Sequence, residues 1–254
     1  METVANFIFL LGGHDLEMLE IKKILEQKHI TFYDFNLALD AKLSSYKKVF
    51  DDSHNFVGVE LIRDIEPPVY YKEIDHYNKN SNHPSSLEQI ADLFNVSITR
   101  YRKLVVINDL DNIAGLLANG ATKNEINKIR KNDRASQGIS EMEEELAEKS
   151  IRENSSIEKG ILVVKSPSSE FSPIIDRLYT YKRVLVYSDE TLTYYGSRAG
   201  DLVKAFPNFI KEKKAYHLAG VDGIFKLAEN AFFPGELYQI RKKIISIISS
   251  EYKT

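Results

Sequence analysis

An aspartate and a histidine stand side by side at Asp75 and His76, between the apolar stretch VYYKEI and a helix start near Ser85. A carboxylate beside an imidazole at the end of a strand can bind a divalent metal or move a proton. One such pair proves little, so its meaning depends on what else reaches the same place. The stretch NFIFLL runs into GGHDLE, which supplies His14, Asp15 and Glu17. FVGVELI carries Glu60 near its end, with Asp64 shortly beyond, and LVVIND ends in Asp109, with Asp111 following. In an open parallel sheet, functional residues gather outside the carboxyl ends of the strands. Successive elements therefore bring imidazoles and carboxylates to one rim. Hard oxygen donors mixed with imidazole suit Mn2+ or Mg2+ better than a thiolate-loving metal. Each residue also has a plainer reading. An aspartate after a strand is commonly a helix cap, which applies to Asp15 and Asp109 taken singly, and His76 alone is equally a structural histidine. Glu60 is harder to dismiss, because a carboxylate inside an apolar strand asks for a cation, a cage of donors or an exposed strand face.

The elements that must position these residues are marked in the pattern. NFIFLL reads as a buried strand that Gly12-Gly13 break, and DLEMLEIKKILEQK follows with helical spacing of its apolar residues. HITFYDF, FVGVELI and VYYKEI have strand character, the last two separated by RDIEPP, whose prolines forbid a continuous ladder. Ser85 and Glu88 have capping-box spacing, with Leu87, Ile90, Ala91 and Phe94 on one face of the helix they open. RKLVVINDLDNIAGLL is helix or strand by pattern alone; Asn119-Gly120 ends it, and Thr122 with Glu125 opens a further helix. Strands alternating with helices predict a parallel sheet with crossover helices. Residues 139–159, acidic and polar, read as an exposed helix and linker. A second alternating unit follows over 160–254: ILVVKS, RVLVYS and TLTYYGS as strands, SPIIDRLYTY and AGDLVKAFPNFIKEK as helices, and a closing helix striped by Leu237, Ile240, Ile244, Ile245 and Ile248. The expected fold is α/β, with residues 1–138 as a parallel sheet flanked by helices and a second, smaller α/β domain after the linker.

Composition narrows the classes. The 254 residues carry a formal net charge of -3 and 43% hydrophobic residues, an ordinary globular balance without a broad basic surface for nucleic acid. With no cysteine, thiol catalysis, zinc–thiolate sites and disulfides are excluded. The apolar start, FIFLLGG, is too short to span a bilayer and lacks the basic flank of a signal peptide. No membrane partner and a cytoplasmic location are expected.

The order of these motifs resembles the DHH phosphoesterases, a family that includes RecJ-type nucleases, small-oligonucleotide and cyclic-dinucleotide phosphodiesterases, and manganese pyrophosphatases. YYKEIDHYN followed by PSSLEQIADLF is similar to the family signature. On that resemblance HDLE corresponds to the first acidic motif, Glu60 to the second, Asp75-His76 to the Asp-His-His motif and Asp109 or Asp111 to the fourth. YYGSRAGDLVKAF and HLAGVDGIF are similar to segments of the DHH-associated domain, which implies that Arg198, Gly220 and Gly223 hold the far end of a substrate. The chain departs from the family pattern in several places. Tyr77 stands where the second histidine is expected, Glu17 and Glu60 stand for aspartates, and His14 abuts Asp15 without the usual gap. The glycine-rich loop also lacks its run of glycines and its histidine.

The resemblance implies a DHH-like metal-binding domain and metal-dependent hydrolysis of a small phosphodiester or nucleotide, of the oligonucleotide or cyclic-dinucleotide class. The metal ligands would be His14, Asp15, Glu17, Glu60, Asp75 and Asp109, with Mn2+ (or Mg2+) as cofactor. His76, Asp75 and Tyr77 would act in catalysis. The expected partner is a small phosphorylated substrate or short oligonucleotide, with a homodimer left open. The alternative is a catalytically impaired DHH-like protein that binds a nucleotide or regulates, which the Tyr77 and glutamate replacements favour.

Overall fold

A computed structural model describes residues 7–38, 40–77, 80–218, 223–228, 231 and 235–249. The chain divides into two compact units, Met1–Gly138 and Ile139–Thr254.

The first unit opens with strand β1 (Phe7–Leu11), helix α1 (Leu16–Gln27) and the two-residue strand β2 (Phe32–Tyr33). A 3-10 helix (Leu43–Val49) leads to β3 (Asn55–Val59) and β4 (Tyr71–Ile74), and then to α2 (Ser86–Leu93), α3 (Arg100–Ala118) and α4 (Lys123–Ser136). The four strands form one wholly parallel sheet in the order β2-β1-β3-β4. Alternation along β1 splits its side chains between two faces. Ile8 and Leu10 meet Leu43, Tyr46 and Phe56 on one side, whereas Phe9 faces Phe94 at the end of α2, ring centroids 5.8 Å apart. Helix α1 packs on α2, α3 and α4, so the parallel sheet is covered by helices as its apolar strands require.

Register fixes the functional edge. Leu11 pairs with Val59 and Val59 with Ile74, so β1, β3 and β4 end level with one another. The chain leaving β1 passes hard against the end of β3. A Cβ on Gly12 would lie 2.5 Å from the carbonyl oxygens of both Val59 and Glu60, a contact that no side chain tolerates. Strand β3 is shorter than the apolar run FVGVELI suggested, because Glu60 turns into the left-handed region, φ 53°.

The ambiguous run after Arg100 is helical. Helix α3 carries Asp109 and then breaks at Asp111 (φ -148°) and Asn112 (φ 47°), so Asp109 sits in the last turn before a kink, not at the end of a strand. The capping boxes Ser85–Glu88 and Thr122–Glu125 both form.

The second unit contains α5 (Glu141–Glu153), β5 (Ser155–Glu158), β6 (Ile161–Lys165), α6 (Ser172–Arg177), β7 (Arg183–Tyr187) and β8 (Leu192–Gly196). It continues with α7 (Ala199–Ala205), α8 (Pro207–Lys211), β9 (Ala215–Leu218), β10 (Ile224–Leu227) and α9 (Glu236–Ser249). Its mixed sheet has the order β5-β6-β7-β8-β10-β9, only β6 and β7 being parallel. One face packs under α7 and α9 through Leu185, Tyr194, Phe225 and Ile244, and the other under α5 and α6 through Val164, Val186 and Ile174. The segment read as an exposed helix and linker is therefore structural. Helix α5 buries Ala147 and Ser150, Arg177 of α6 reaches Glu144 at 2.7 Å, and Ser155–Glu158 pairs antiparallel with β6. Strand β5 gives no signal in the sequence because, as an edge strand with three of its four residues exposed, SSIE has no apolar alternation to read. No helix among the described residues is long and apolar enough to cross a membrane.

Candidate metal centre

Glu17, Glu60 and His76 meet at the level edge of the parallel sheet, one ligand atom of each within 4.8 Å of the others. Each arrives by a different route. Glu17 lies in the first turn of α1, which begins because Asp15 caps it, Oδ1 accepting the Met18 N–H at 2.8 Å. Glu60 follows the last residue of β3, and its backbone N–H donates to the carbonyl of Ile74 at 2.9 Å, which ties it to the end of β4. His76 follows β4 after one intervening residue. Asp75, that residue, accepts from the Tyr77 N–H and from Asn80 Nδ2, both at 3.0 Å, and this tight turn points the histidine inward.

The cluster is almost dry. Side-chain exposure is 0% for Glu17, 7% for Glu60 and 1% for His76. His76 Nε2 lies 3.5 Å from Glu17 Oε2, 3.3 Å from Glu60 Oε1 and 3.1 Å from Asp109 Oδ2. These distances are short enough for ion pairs, yet none aligns a donor with an acceptor: all four atoms are buried without a hydrogen-bond partner. One Nε2–H could satisfy a single carboxylate, leaving two oxygens stranded at roughly 1–3 kcal/mol or more each. A divalent cation satisfies several at once. Donor atoms around an octahedral Mg2+, at about 2.0–2.1 Å from it, are separated along each edge by roughly 3 Å, close to the spacing seen here. The residues fit such an ion.

The remaining carboxylate oxygens are held by the protein. Glu17 Oε1 accepts the Leu87 N–H at 3.1 Å, from the first turn of α2, and Asp109 Oδ1 accepts the Tyr77 hydroxyl at 3.0 Å. Leu16 N donates weakly to Asp133 at 3.4 Å; the other oxygen of Asp133 meets Arg130 Nη1 at 2.8 Å, and that nitrogen also lies 3.0 Å from Asn108 Oδ1. This brace fixes the start of α1 to α3 and α4. Beside the cluster lies a cavity of about 210 Å³ lined by Asp15, Glu17, Tyr77, Asn108, Asp109 and Asp133, among others.

Charge repulsion and burial act together on the titrating groups. Burial raises the Asp15 carboxyl to about 7, against its bond from Met18 and with help from Glu60 and Asp109. Burial also raises Glu17 to about 8, opposed by His76 and reinforced by Glu60 and Asp109. For His76, burial disfavours the charge, but Asp109, Glu17 and Glu60 overcome it and push the imidazole up to about 12. A proton on this ring serves where a cation would otherwise balance the carboxylates.

Among the residues singled out from sequence, the structure brings Glu17, Glu60, His76 and Asp109 together. Asp15 caps α1 and lines the adjoining cavity. Asp75 has both oxygens engaged in its turn, and His14, partly exposed, is not one of the clustered donors. Tyr77 is 43% exposed and packs against His76, ring centroids 4.2 Å apart. Asp133 and Arg130 were not foreseen. Asp133 shares the buried face of α4 with Ile126 and Ile129, so a carboxylate at helical spacing on an apolar stripe was the available signal.

In the second unit, Arg198 is left-handed, φ 70°, and its Nε donates to Asp201 Oδ2 at 2.8 Å. Gly223 is buried and its carbonyl accepts from Gly196 N–H at 3.0 Å; Gly220 lies outside the described residues.

Buried carboxylates and an imidazole thus gather at the strand ends of a parallel α/β unit, where their donor atoms could hold a metal ion. No family model matches the sequence, and no curated protein matches it. Solved structures do resemble it. A pGpG-specific phosphodiesterase, PggH from Vibrio cholerae, aligns with TM-score 0.49 and 10% identity over 95% of this chain and 98% of that one. RecJ from Thermus thermophilus in complex with Mn2+ aligns with TM-score 0.43 and 11% identity, over 96% of this chain and 52% of that one. The DHH domain of a member of a family of ribosomal proteins gives 0.45 and 9%, over 96% and 87%. The last of these neighbours is a DHH domain, and at these identities the likeness is one of fold.

Proposed function

We propose that the protein is a divergent DHH-type phosphoesterase that uses Mn2+ or Mg2+ to hydrolyse a small phosphodiester or nucleotide, of the oligonucleotide or cyclic-dinucleotide class. The observation that carries this reading is the meeting of four partnerless buried atoms, on Glu17, Glu60, His76 and Asp109, at one sheet edge. Glu17, Glu60 and His76 would hold the ion, with Asp109 beside them. Bound there, a divalent cation supplies a lowered pKa for water and neutralises charge on a phosphoryl group.

The chain's own groups do the rest. The Leu87 N–H locks the orientation of Glu17, and the Tyr77 hydroxyl locks that of Asp109, so neither carboxylate needs to reorganise when substrate arrives. Asn108 gives its carbonyl oxygen to Arg130, which leaves its NH2 as a donor beside the cavity. The cavity suits a phosphate group and not a long duplex. Arg198, oriented by Asp201, is a candidate anion contact of the second unit.

A binding-only protein is the second reading. It is favoured by the engagement of both Asp75 oxygens and of Asp109 Oδ1 in hydrogen bonds within the protein. A panel of linear dinucleotides incubated with protein and Mn2+ separates the two. Metal-dependent release of mononucleotide, lost by about 10²-fold or more in Glu60→Gln, is expected. Nucleotide binding without turnover under every metal condition would sink the phosphoesterase reading in favour of the alternative.

A further inference from the structure

We propose that the centre takes one divalent cation per chain, and that the Tyr77 hydroxyl is what keeps a second one out. This rests on the reading of the cluster as a metal centre. Two-cation hydrolytic sites place their ions about 3.5–4 Å apart, which calls for carboxylates that offer an oxygen to each. Two of the three carboxylates around His76 hold their second oxygens in hydrogen bonds within the protein. Glu17 Oε1 is held by the Leu87 N–H at 3.1 Å, in a helix turn that is buried and cannot be replaced by solvent. Asp109 Oδ1 is held by the Tyr77 hydroxyl at 3.0 Å. Asp75, next in the chain to His76, accepts from Tyr77 N–H and Asn80 and so turns both oxygens into its own loop. The partnerless atoms accordingly converge on the single nitrogen of His76.

Of these locks, the tyrosine is the removable one. It is an exposed side chain in a turn, and its hydroxyl is directed at the carboxylate that borders the 210 Å³ cavity beside Asp15. Without it, Asp109 Oδ1 and the Asp15 carboxyl would both front that space. Tyr77 is thus a positioning residue, acting on the metal centre through Asp109.

The test counts ions. The purified chain, stripped with chelator, is titrated with Mn2+ while free ion is followed by electron paramagnetic resonance. The wild type is expected to bind one Mn2+ per chain. Tyr77→Phe, which keeps the ring against His76 and removes only the hydroxyl, is expected to bind a second, weaker ion near pH 8. Circular dichroism confirms that the variant is folded. Two ions in the wild type would overturn the proposal, and so would a single ion in both forms. No ion in either would strike down the metal-centre reading itself, a distinguishable failure. Tyr77→His gives a further arm: an imidazole there is expected to supply a nitrogen to the second ion and to tighten it at least tenfold relative to Tyr77→Phe. A second ion no tighter than that of Tyr77→Phe would overturn the placement of the second position at Tyr77.

Discussion

At the scale of single residues, Glu60 combines two kinds of expense. Its backbone is left-handed, which for a residue with a Cβ costs about 1–2 kcal/mol, and its Oε1 is buried without a partner. Strain of this sort persists where surrounding structure over-determines it, and it tends to collect at working sites. Glu60→Gly relieves both. In metal-free buffer the variant is expected to unfold at a denaturant midpoint corresponding to about 1 kcal/mol more stability than wild type, while losing the Mn2+-induced rise in Tm. A less stable variant, or one that keeps its response to Mn2+, would mean that Glu60 is structural. Glu60 was legible from sequence because a charge inside an apolar strand demands a reason. Its backbone strain was not, since nothing in FVGVELI signals where the strand stops. Asp15 carried two readings, cap and metal ligand; the structure shows the cap and sets the residue in the wall of the adjoining cavity, outside the cluster of donors. Asp133 went unread because it sits among the polar majority of α4 and only the helix period sets it apart.

Among elements, the level ending of β1, β3 and β4 depends on the close passage at Gly12. Any side chain there must push against two backbone carbonyls, which have no rotamer by which to yield. Gly12→Ala is expected to lose about 1–3 kcal/mol of stability in urea unfolding and to weaken Mn2+ binding by separating Glu17 from Glu60. Unchanged stability would show that the strand ends slide apart freely. The strands and capped helices of this unit could be read from alternation and from Ser/Thr-x-x-Glu spacing. What stayed hidden was the identity of α3, whose apolar run suits either structure, and its kink, which places Asp109 by backbone geometry at Asp111 and Asn112 that no pattern encodes. Strands β9 and β10 were missed for a related reason: each is four residues long, and short strands yield little period to detect.

For the whole molecule, the buried acids couple stability to pH. In the folded chain Asp15 and Glu17 keep protons up to about 7 and about 8, whereas unfolded they release them near 3.8 and 4.5. Between those values the folded state binds more protons than the unfolded, so metal-free stability falls as pH rises through the window. His76, protonated up to about 12 when folded against 6.5 when free, continues the fall in the same direction. Mn2+ bound by these donors would need them without their protons, so a stabilising effect of the ion is expected to grow as pH rises. Calorimetry with and without Mn2+ should show a larger rise in Tm at about pH 8 than at about pH 5. An equal rise at both would mean that the ion binds elsewhere.

The donors of the cluster come from four places in the chain, at residues 17, 60, 76 and 109, brought level only by the paired register of β1, β3 and β4 and the docking of α3. Such a site has no local precursor. None of its pairs forms until the parallel sheet has closed its long crossovers, the slowest class of contact to make. An ion bound there would therefore arrive after the barrier has been crossed and would have nothing to nucleate. Its stabilisation would belong to the native side of that barrier, lengthening the lifetime of the folded state while leaving the rate of folding unaltered.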